Sequence, residues 1–142
     1  MDKDIICSGA LFYATNTKRF LFLQRNDPKT KGSWGLVGGK ARYTESAFEG
    51  LKREIKEEVG ETPKFKKVIP LELFTSNDQK FFFHTYLIAV ESEFIPKLNV
   101  EHSGYCWCAF ECWPKNLHMG LKNTLNNKSI KGKLQTILDL IV

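Results

Sequence analysis

The apolar residues near the start of the chain fall into two runs with a turn-forming segment between them. Residues 5–14 and 19–25 are rich in aliphatic and aromatic side chains, and residues 15–18 read Thr-Asn-Thr-Lys. In the second run, successive side chains alternate as they do when they face opposite sides of a sheet. The pattern therefore predicts two strands joined by a turn.

Later apolar runs of similar length predict four more strands, separated by segments rich in glycine, proline, serine and asparagine. These strands are expected over residues 34–37, 65–74, 80–90 and 105–111. Between the first two of them lies a segment in which apolar residues return every three or four positions. That spacing is typical of a helix rather than a strand.

This helix is predicted over residues 45–59. Ser46 can cap its first turn, with Glu49 three residues later as the reciprocal partner of a capping box. Gly60 follows the last apolar position, where a glycine commonly ends a helix. Gly50 lies inside the helix and costs about 1 kcal/mol of helix propensity, which indicates that this turn needs space. The apolar stripe consists of Ala47, Phe48, Leu51, Ile55 and Val59.

Two more helices are expected at the end of the chain. Pro114 opens the first, which carries leucines at four-residue spacing, and a second apolar stripe covers residues 130–141. Strands and helices in this order predict an α/β (α+β) fold with helices on the faces of a sheet. A length of 142 residues suits a single domain, so residues 1–142 are expected to form one unit.

Composition narrows the class of protein further. Hydrophobic residues make up 42% and charged residues 26% of the chain, which is ordinary for a globular domain. No apolar run approaches the roughly 20 residues that a membrane span needs. The first residues lack the basic and apolar regions of a signal peptide, so a reducing, cytoplasmic location is expected.

Three glutamates on the predicted helix give the chain its clearest chemical signal. Glu54, Glu57 and Glu58 are three and four residues apart, so they share one face at the edge of the apolar stripe. Like charges at this spacing repel, and a hard divalent cation bound through oxygen is the usual compensation. A solvated, charge-rich helix face is the alternative. Gly38 and Gly39 precede the helix and allow the backbone to approach a cation or a phosphate closely.

The full spacing decides between these alternatives. Gly39 is followed after five residues by Glu45, and Glu45 after seven residues by the run Arg53-Glu54-Ile55-Lys56-Glu57-Glu58-Val59-Gly60. This is the signature of the Nudix hydrolases, and residues 34–39, Trp-Gly-Leu-Val-Gly-Gly, resemble the segment that leads into it. By this resemblance the chain is identified as a member of that superfamily. Residues 113–125 resemble its ADP-ribose and dinucleotide pyrophosphatases more than its mutator type.

The resemblance implies an α/β/α sandwich with a mixed sheet and hydrolysis that depends on Mg²⁺ or Mn²⁺. Arg53 would orient a carboxylate and take part in catalysis, and Glu45 and Gly39 would support the loop and helix. Two positions depart from the family, because Val37 replaces a common proline and Glu61 a common aliphatic residue. The implied metal ligands are the carbonyl of Gly38 and the carboxylates of Glu54, Glu57 and Glu58.

A further catalytic group is sought in the loop before the tryptophan-bearing strand. In many Nudix enzymes an acidic residue at such a place is an extra metal ligand or the general base. Glu101 is the residue expected here, and His102 is the second choice. The base could equally be a glutamate inside the signature, and a solvated loop carboxylate is the plain structural alternative.

The net charge of +5 suits an anionic partner. Arg25, Lys29, Lys31 and Lys40 are candidate phosphate contacts, and Trp34 is a candidate substrate contact. The basic residues are scattered, and no nucleic-acid-binding motif is present, so a small nucleotide is expected as substrate. An RNA 5′ end stays open as a substrate, and a homodimer is considered.

The cysteines offer a different metal chemistry, which the spacing disfavours. His102, Cys106, Cys108 and Cys112 are close in sequence, but the two-residue knuckle of common zinc sites is missing. Free thiols are therefore expected.

The expected function is hydrolysis of a diphosphate that links a nucleoside to another group, as in ADP-ribose, dinucleoside polyphosphates, FAD, NADH or nucleotide sugars. One alternative is a pyrophosphohydrolase that acts on nucleoside triphosphates or RNA 5′ ends. A non-catalytic nucleotide sensor is the alternative from another class. The presence of all three glutamates favours an enzyme.

Overall fold

Strand β1, Ile5–Ala14, lies at the centre of the sheet in the computed structural model, which describes residues 4–141. It pairs in parallel with β6 along its whole length, and the other pairings are antiparallel, so the sheet is mixed. The strands follow the order β3-β2-β1-β6-β5, with β4 also on β1 and β7 also on β2. The remaining strands are β2 (Arg19–Arg25), β3 (Trp34–Gly35), β4 (Val37–Lys40), β5 (Lys67–Thr75), β6 (Phe81–Val90) and β7 (His102–Ala109).

The helices cover both faces of this sheet. Helix α1, Ala47–Val59, packs on one face, and α2 (Met119–Asn126) and α3 (Lys128–Leu140) pack on the other. Alternate side chains of β1 serve the two cores: Phe12 packs with the α1 cluster and Leu11 with the α2–α3 cluster. The predicted α/β/α arrangement and the α+β class are therefore confirmed.

Strands β1 and β2 separate part of the way along the sheet, and the segment that leads into α1 lies between them. Strands β1 and β2 pair only at Tyr13 with Phe20 and at Ala14 with Arg19. Beyond that point β3 pairs with β2 and β4 pairs with β1. The single strand predicted over residues 34–37 is thus two short strands, because the chain changes partner between them.

Glycine is required where this segment meets β1. Gly38 lies opposite Gly9, and a Cβ atom on Gly38 would overlap the carbonyl oxygen of Ser8. The Ser8 hydroxyl in turn donates a hydrogen bond to the carbonyl of Ala47 at 3.1 Å, which ties β1 to the start of α1. The backbone at Gly38 is therefore held tightly between a central strand and the helix.

The ends of α1 follow the sequence signals. The Glu49 amide donates to the Ser46 hydroxyl at 3.1 Å, and the Ser46 amide donates to the Glu49 carboxylate at 2.8 Å, which completes the capping box. Gly60 ends the helix with a φ of 77°. Gly50 is buried, and a Cβ atom there would lie 2.9 Å from the Cα of Ala41. The space that Gly50 provides is thus taken by the backbone before the helix.

The helix predicted to begin at Pro114 begins instead at Met119. The preceding residues run beside β3, where the Trp34 amide donates to the Asn116 carbonyl at 3.0 Å and the His118 amide donates to the Trp34 carbonyl at 2.8 Å. These groups are used by Trp34 and are not free for a first helical turn. Among residues 4–141, no helix has both the length and the apolar character needed to cross a membrane.

Candidate active site

A cavity of about 370 Å³ lies where β4, α1 and the beginning of β7 meet. Side chains of both charges line it, together with the backbone of Gly38 and Gly39. The charged residues around it are Glu54, Glu58 and Glu101, with Arg25, Lys40 and Asp27. The signature helix and the loop before β7 therefore contribute to the same site.

Arg53 holds one part of the acidic set through several hydrogen bonds. Its guanidinium donates to both carboxylate oxygens of Glu45, at 2.9 and 3.0 Å, and to Glu54 at 2.7 Å. It also donates to the carbonyl of Lys40 at 3.0 Å, and it lies 3.4 Å from both oxygens of Glu57. One planar cation thus connects the helix to the segment that precedes it.

These contacts change the protonation of Glu45 and Arg53. Hydrogen bonds from Arg53, and then from the Arg42 amide, lower the pKa of Glu45 to about 2. The same carboxylates raise the pKa of Arg53 above its ordinary value, Glu45 having the largest effect. Both groups are therefore charged at neutral pH and compensate each other.

Glu54 is pressed against the glycine before the helix. A Cβ atom on Gly39 would lie 2.5 Å from a carboxylate oxygen of Glu54, so a larger residue at position 39 would displace this side chain. Arg53 holds the other oxygen of the same carboxylate. The orientation of Glu54 into the cavity thus depends on a missing side chain and on one guanidinium.

Glu58 has a different environment. It is only 2% exposed, and one of its oxygens accepts a hydrogen bond from the Gly38 amide at 2.9 Å. Burial raises the pKa of Glu58 to about 9, against the lowering effect of the Gly38 amide. The nearby carboxylates of Glu54 and Glu101 act in the same direction as burial.

Two asparagines that the sequence analysis did not select hold Glu101 beside Glu58. The Asn99 side chain accepts from the Glu101 amide at 3.0 Å and donates to the carbonyl of Glu57, also at 3.0 Å. The Asn26 amide donates to the Glu101 carbonyl at 3.0 Å. The loop is thereby fixed both to the end of α1 and to the end of β2.

His102 completes this side of the cavity. It is 9% exposed, and ligand atoms of His102, Glu58 and Glu101 lie within 4.8 Å of one another. Its Nδ1 is buried and has no hydrogen-bond partner within residues 4–141. Burial, followed by the charge of Arg25, lowers the pKa of His102, so the ring is neutral at physiological pH.

The structure does not gather every predicted residue around the cavity. Arg25 and Lys40 line it, whereas Trp34 packs with the α2–α3 cluster. The side chain of Glu57 is 48% exposed and contacts Arg53 at the edge of the site. The lysines at positions 29 and 31 do not line it. Leu36 and Asp27 also line it, although neither is among the predicted site residues.

The donor set suits a hard divalent cation. Glu54, Glu58 and Glu101 offer carboxylate oxygens to one cavity, which is the ligand type that Mg²⁺ and Mn²⁺ take. Burial, together with the negative charges of Glu54 and Glu101, raises the pKa of Glu58, so its ionised form needs added positive charge. A cation among these oxygens would supply that charge and favour the ionised form.

Known proteins agree with this fold. A model of the family described as NUDIX domain matches residues 7–127, and the chain belongs to this family. The resemblance seen in residues 39–60 is thereby confirmed, and with it the assignment of the chain to the Nudix hydrolases. No curated protein sequence matches the chain.

Several solved structures share the fold at low sequence identity. A MutT NUDIX hydrolase from Burkholderia pseudomallei is 23% identical, with a TM-score of 0.70 over 89% of this chain and 99% of that one. An Ap4A hydrolase from C. elegans is 20% identical, with a TM-score of 0.70 over 95% and 99%. An ADP-ribose pyrophosphatase from Streptococcus suis is 19% identical, with a TM-score of 0.69 over 94% and 92%.

Proposed function

We propose that this protein hydrolyses the diphosphate linkage of a nucleoside diphosphate joined to a second group, with Mg²⁺ or Mn²⁺ as cofactor. The observation that carries the proposal is the meeting of Glu54, Glu58 and Glu101 with Arg25 and Lys40 in one cavity. A diphosphate is a multiply charged anion, so its site needs cationic contacts as well as carboxylates for a metal. The cavity offers both.

The carboxylates and the cationic residues have separate tasks in this proposal. Glu54 and Glu58 hold the cation, and Glu57 joins them from the edge of the site. Arg25 and Lys40 bind phosphate oxygens and thereby fix the substrate relative to the carboxylates. When bound, the metal neutralises phosphate charge and lowers the pKa of the attacking water.

The proton of that water needs an acceptor close to the cation. Glu101 is the proposed general base, because its carboxylate lies beside Glu58 and is exposed enough to exchange its proton with solvent. Glu58 is the alternative, since it lies within the same cluster. Arg53 contacts neither water nor substrate in this scheme, and it positions Glu54 and Glu45.

The cavity volume bears on the substrate. About 370 Å³ lies at the small end of ligand pockets, which span about 300–1,000 Å³. Such a space suits the diphosphate and its cations, while the two flanking groups extend outside it. Similar structures described as an Ap4A hydrolase and as an ADP-ribose pyrophosphatase support dinucleoside polyphosphates and ADP-ribose as the proposed substrates.

The test is a substrate panel with Mg²⁺, with Mn²⁺ and with EDTA. It contains ADP-ribose, a dinucleoside tetraphosphate, FAD, NADH, a nucleotide sugar, a nucleoside triphosphate and 5′-triphosphate RNA. Chromatography separates the mononucleotide products, and Glu54→Gln is compared with Glu61→Gln, a change at an exposed glutamate just beyond α1. We expect metal-dependent release of a nucleoside monophosphate that Glu54→Gln loses and Glu61→Gln keeps.

Other outcomes would redirect the proposal. Tight nucleotide binding without turnover under any cation would favour a nucleotide sensor. Turnover of the triphosphates alone would favour a pyrophosphohydrolase that acts on nucleoside triphosphates or RNA 5′ ends.

One functional domain over residues 1–142, a cytoplasmic location and a homodimer stay predictions, and the oligomeric state can be measured by light scattering.

A further inference from the structure

We infer that His102 supplies a nitrogen ligand to a cation held with Glu58 and Glu101, so that this site selects transition ions from Mn²⁺ to Zn²⁺ over Mg²⁺. The inference deepens the proposed function and rests on it for the presence of a catalytic cation. It concerns which cation is bound, through which atoms. The carboxylates of the signature helix alone would give an all-oxygen site.

The geometry of the three side chains supports a shared cation. One ligand atom from each lies within 4.8 Å of the others. Around an ion with octahedral bonds of about 2.1 Å, adjacent ligands are about 3 Å apart and opposite ligands about 4.2 Å. Side-chain rotations of the kind that occur on binding would close the remaining distance.

The imidazole also carries an unmet bonding capacity. His102 is 9% exposed, and its Nδ1 has no hydrogen-bond partner within residues 4–141. Buried polar groups are rarely left unpaired, and an unpaired one in a native structure often indicates an ion or a water that belongs beside it. When one ring nitrogen binds a metal, the polarised ring also becomes a better donor at the other. Ligation by either nitrogen thus gives this buried ring a bonding role.

The backbone fixes where the ring can go. The His102 amide donates to the carbonyl of Asn99 at 3.3 Å, and the Asn99 side chain donates to the carbonyl of Glu57 at 3.0 Å. His102 is therefore connected through Asn99 to the helix that carries Glu58. This connection keeps His102 at a fixed position relative to the carboxylates of α1.

The chemistry of the donor atoms determines which ions bind more tightly. Imidazole nitrogen binds divalent transition ions well, with affinity rising from Mn²⁺ towards Cu²⁺, whereas Mg²⁺ prefers oxygen and keeps several waters. An imidazole added to the carboxylates of the site therefore favours the transition ion. Without His102 the preference would fall towards that of an oxygen-only site.

The experiment measures metal binding to the full chain without substrate. Mn²⁺ is bound to the protein, and electron spin echo envelope modulation detects nitrogen coupled to the ion. We expect a coupled ¹⁴N signal that changes to the ¹⁵N pattern when only histidine is labelled with ¹⁵N. This measurement uses the wild-type protein, so it does not depend on the folding of a variant.

Variants then identify the histidine. His102→Gln should lose the signal and bind Mn²⁺ about 10- to 100-fold more weakly, the range seen when metal sites lose a supporting residue, while Mg²⁺ affinity changes less than about twofold. His84→Gln is the control, since His84 lies on β6 outside the cavity. Circular dichroism of both variants checks that they are folded.

The failures of the two proposals are distinguishable. Bound Mn²⁺ without histidine coupling, together with metal-dependent hydrolysis, would overturn the role of His102 and leave the proposed function intact. No binding of either Mn²⁺ or Mg²⁺, together with no hydrolysis, would overturn both. A histidine signal that survives in His102→Gln would also refute the assignment.

Discussion

The negative charge of the carboxylates is compensated differently on the two sides of the acidic site. On one side, Glu45 and Glu54 share the guanidinium of Arg53, and Glu57 lies beside it. On the other side, Glu58 and Glu101 meet, neither forms a salt bridge within residues 4–141, and Glu58 is almost fully buried. The first group is compensated within the protein, and the second is compensated only by an added proton or cation.

The contrast separates the positioning of metal ligands from the need for a metal. A carboxylate whose charge is matched by arginine, such as Glu54, is held in place for the cation that it is proposed to bind. A buried carboxyl group with a raised pKa favours its protonated form, and a bound cation favours its ionised form. Arg53 thus stabilises the arrangement of the carboxylates around it. The charge of Glu58 is left for the proposed cation to compensate.

The largest effect is expected from removing the charge of Glu58. Glu58→Gln should lower kcat by about 100-fold or more, since a metal contributes several kcal/mol to the transition state. The rate is measured at saturating Mg²⁺ or Mn²⁺, with Glu61→Gln as the matched control. Near-wild-type turnover by Glu58→Gln would show that the uncompensated side does not hold the cation.

The next effect concerns the compensated side. Arg53→Lys keeps the positive charge but cannot donate two parallel hydrogen bonds to Glu45 and also reach Glu54. We expect kcat to fall by about 10- to 100-fold, as when groups that orient metal ligands are lost, with a lower melting temperature. If turnover and melting temperature both stay at wild-type values, a positive charge at this position is sufficient, and the parallel hydrogen bonds of the Arg53 guanidinium are not required.

The stability of the metal-free protein should respond to pH through Glu58. Its pKa is raised from 4.5 to about 9, so the native state binds a proton that the unfolded state releases between these values. Stability should therefore fall as pH rises through this window. Thermal melts in EDTA should show Glu58→Gln becoming more stable than the wild type, increasingly so from pH 5 to 9.

Added metal provides the check on this prediction. A saturating cation should remove the disadvantage of the wild type at pH 8, while Glu58→Gln should gain little from it. A constant difference between the two proteins from pH 5 to 9 would contradict the assigned cause of the pKa shift.

The smallest effect is expected at Glu45, in the opposite pH range. Its pKa is lowered from 4.5 to about 2, so its contribution to stability is complete above pH 4.5 and is lost as pH falls towards 2. The difference in melting temperature between the wild type and Glu45→Gln should therefore shrink between pH 5 and 3. A difference that grows in acid would exclude the ion pair with Arg53 as its source.

The sequence was informative wherever the signal was local. The caps of α1, its apolar stripe and the spacing of its glutamates are all contained in about 20 adjacent residues, and the helix forms as expected. The family assignment rests on the same segment. Long-range contacts were not accessible in this way, because their partners are distant in sequence.

Three regions show this limit. Asn99 and Asn26 place Glu101 through single hydrogen bonds to backbone groups on other elements, and isolated asparagines carry no pattern. Pro114 marks a helix start in sequence terms, but Trp34 takes the backbone groups that follow it. Trp34 is a candidate substrate contact by sequence, and its packing with the α2–α3 cluster follows from where β3 pairs, which the sequence does not reveal.

The position of β4 inside the split sheet has a consequence for motion. Strand β4 pairs with the central strand and contacts α1, and the Gly38 amide donates to the buried Glu58 carboxylate, so the amides of residues 37–39 should exchange with solvent only when the whole domain unfolds. Glu101 lies outside the strands, and its loop is held by single hydrogen bonds through Asn99 and Asn26, so we expect its amides to exchange earlier, by local opening. The site would then combine a part that opens only on global unfolding with a part that can open locally to admit or release ligands.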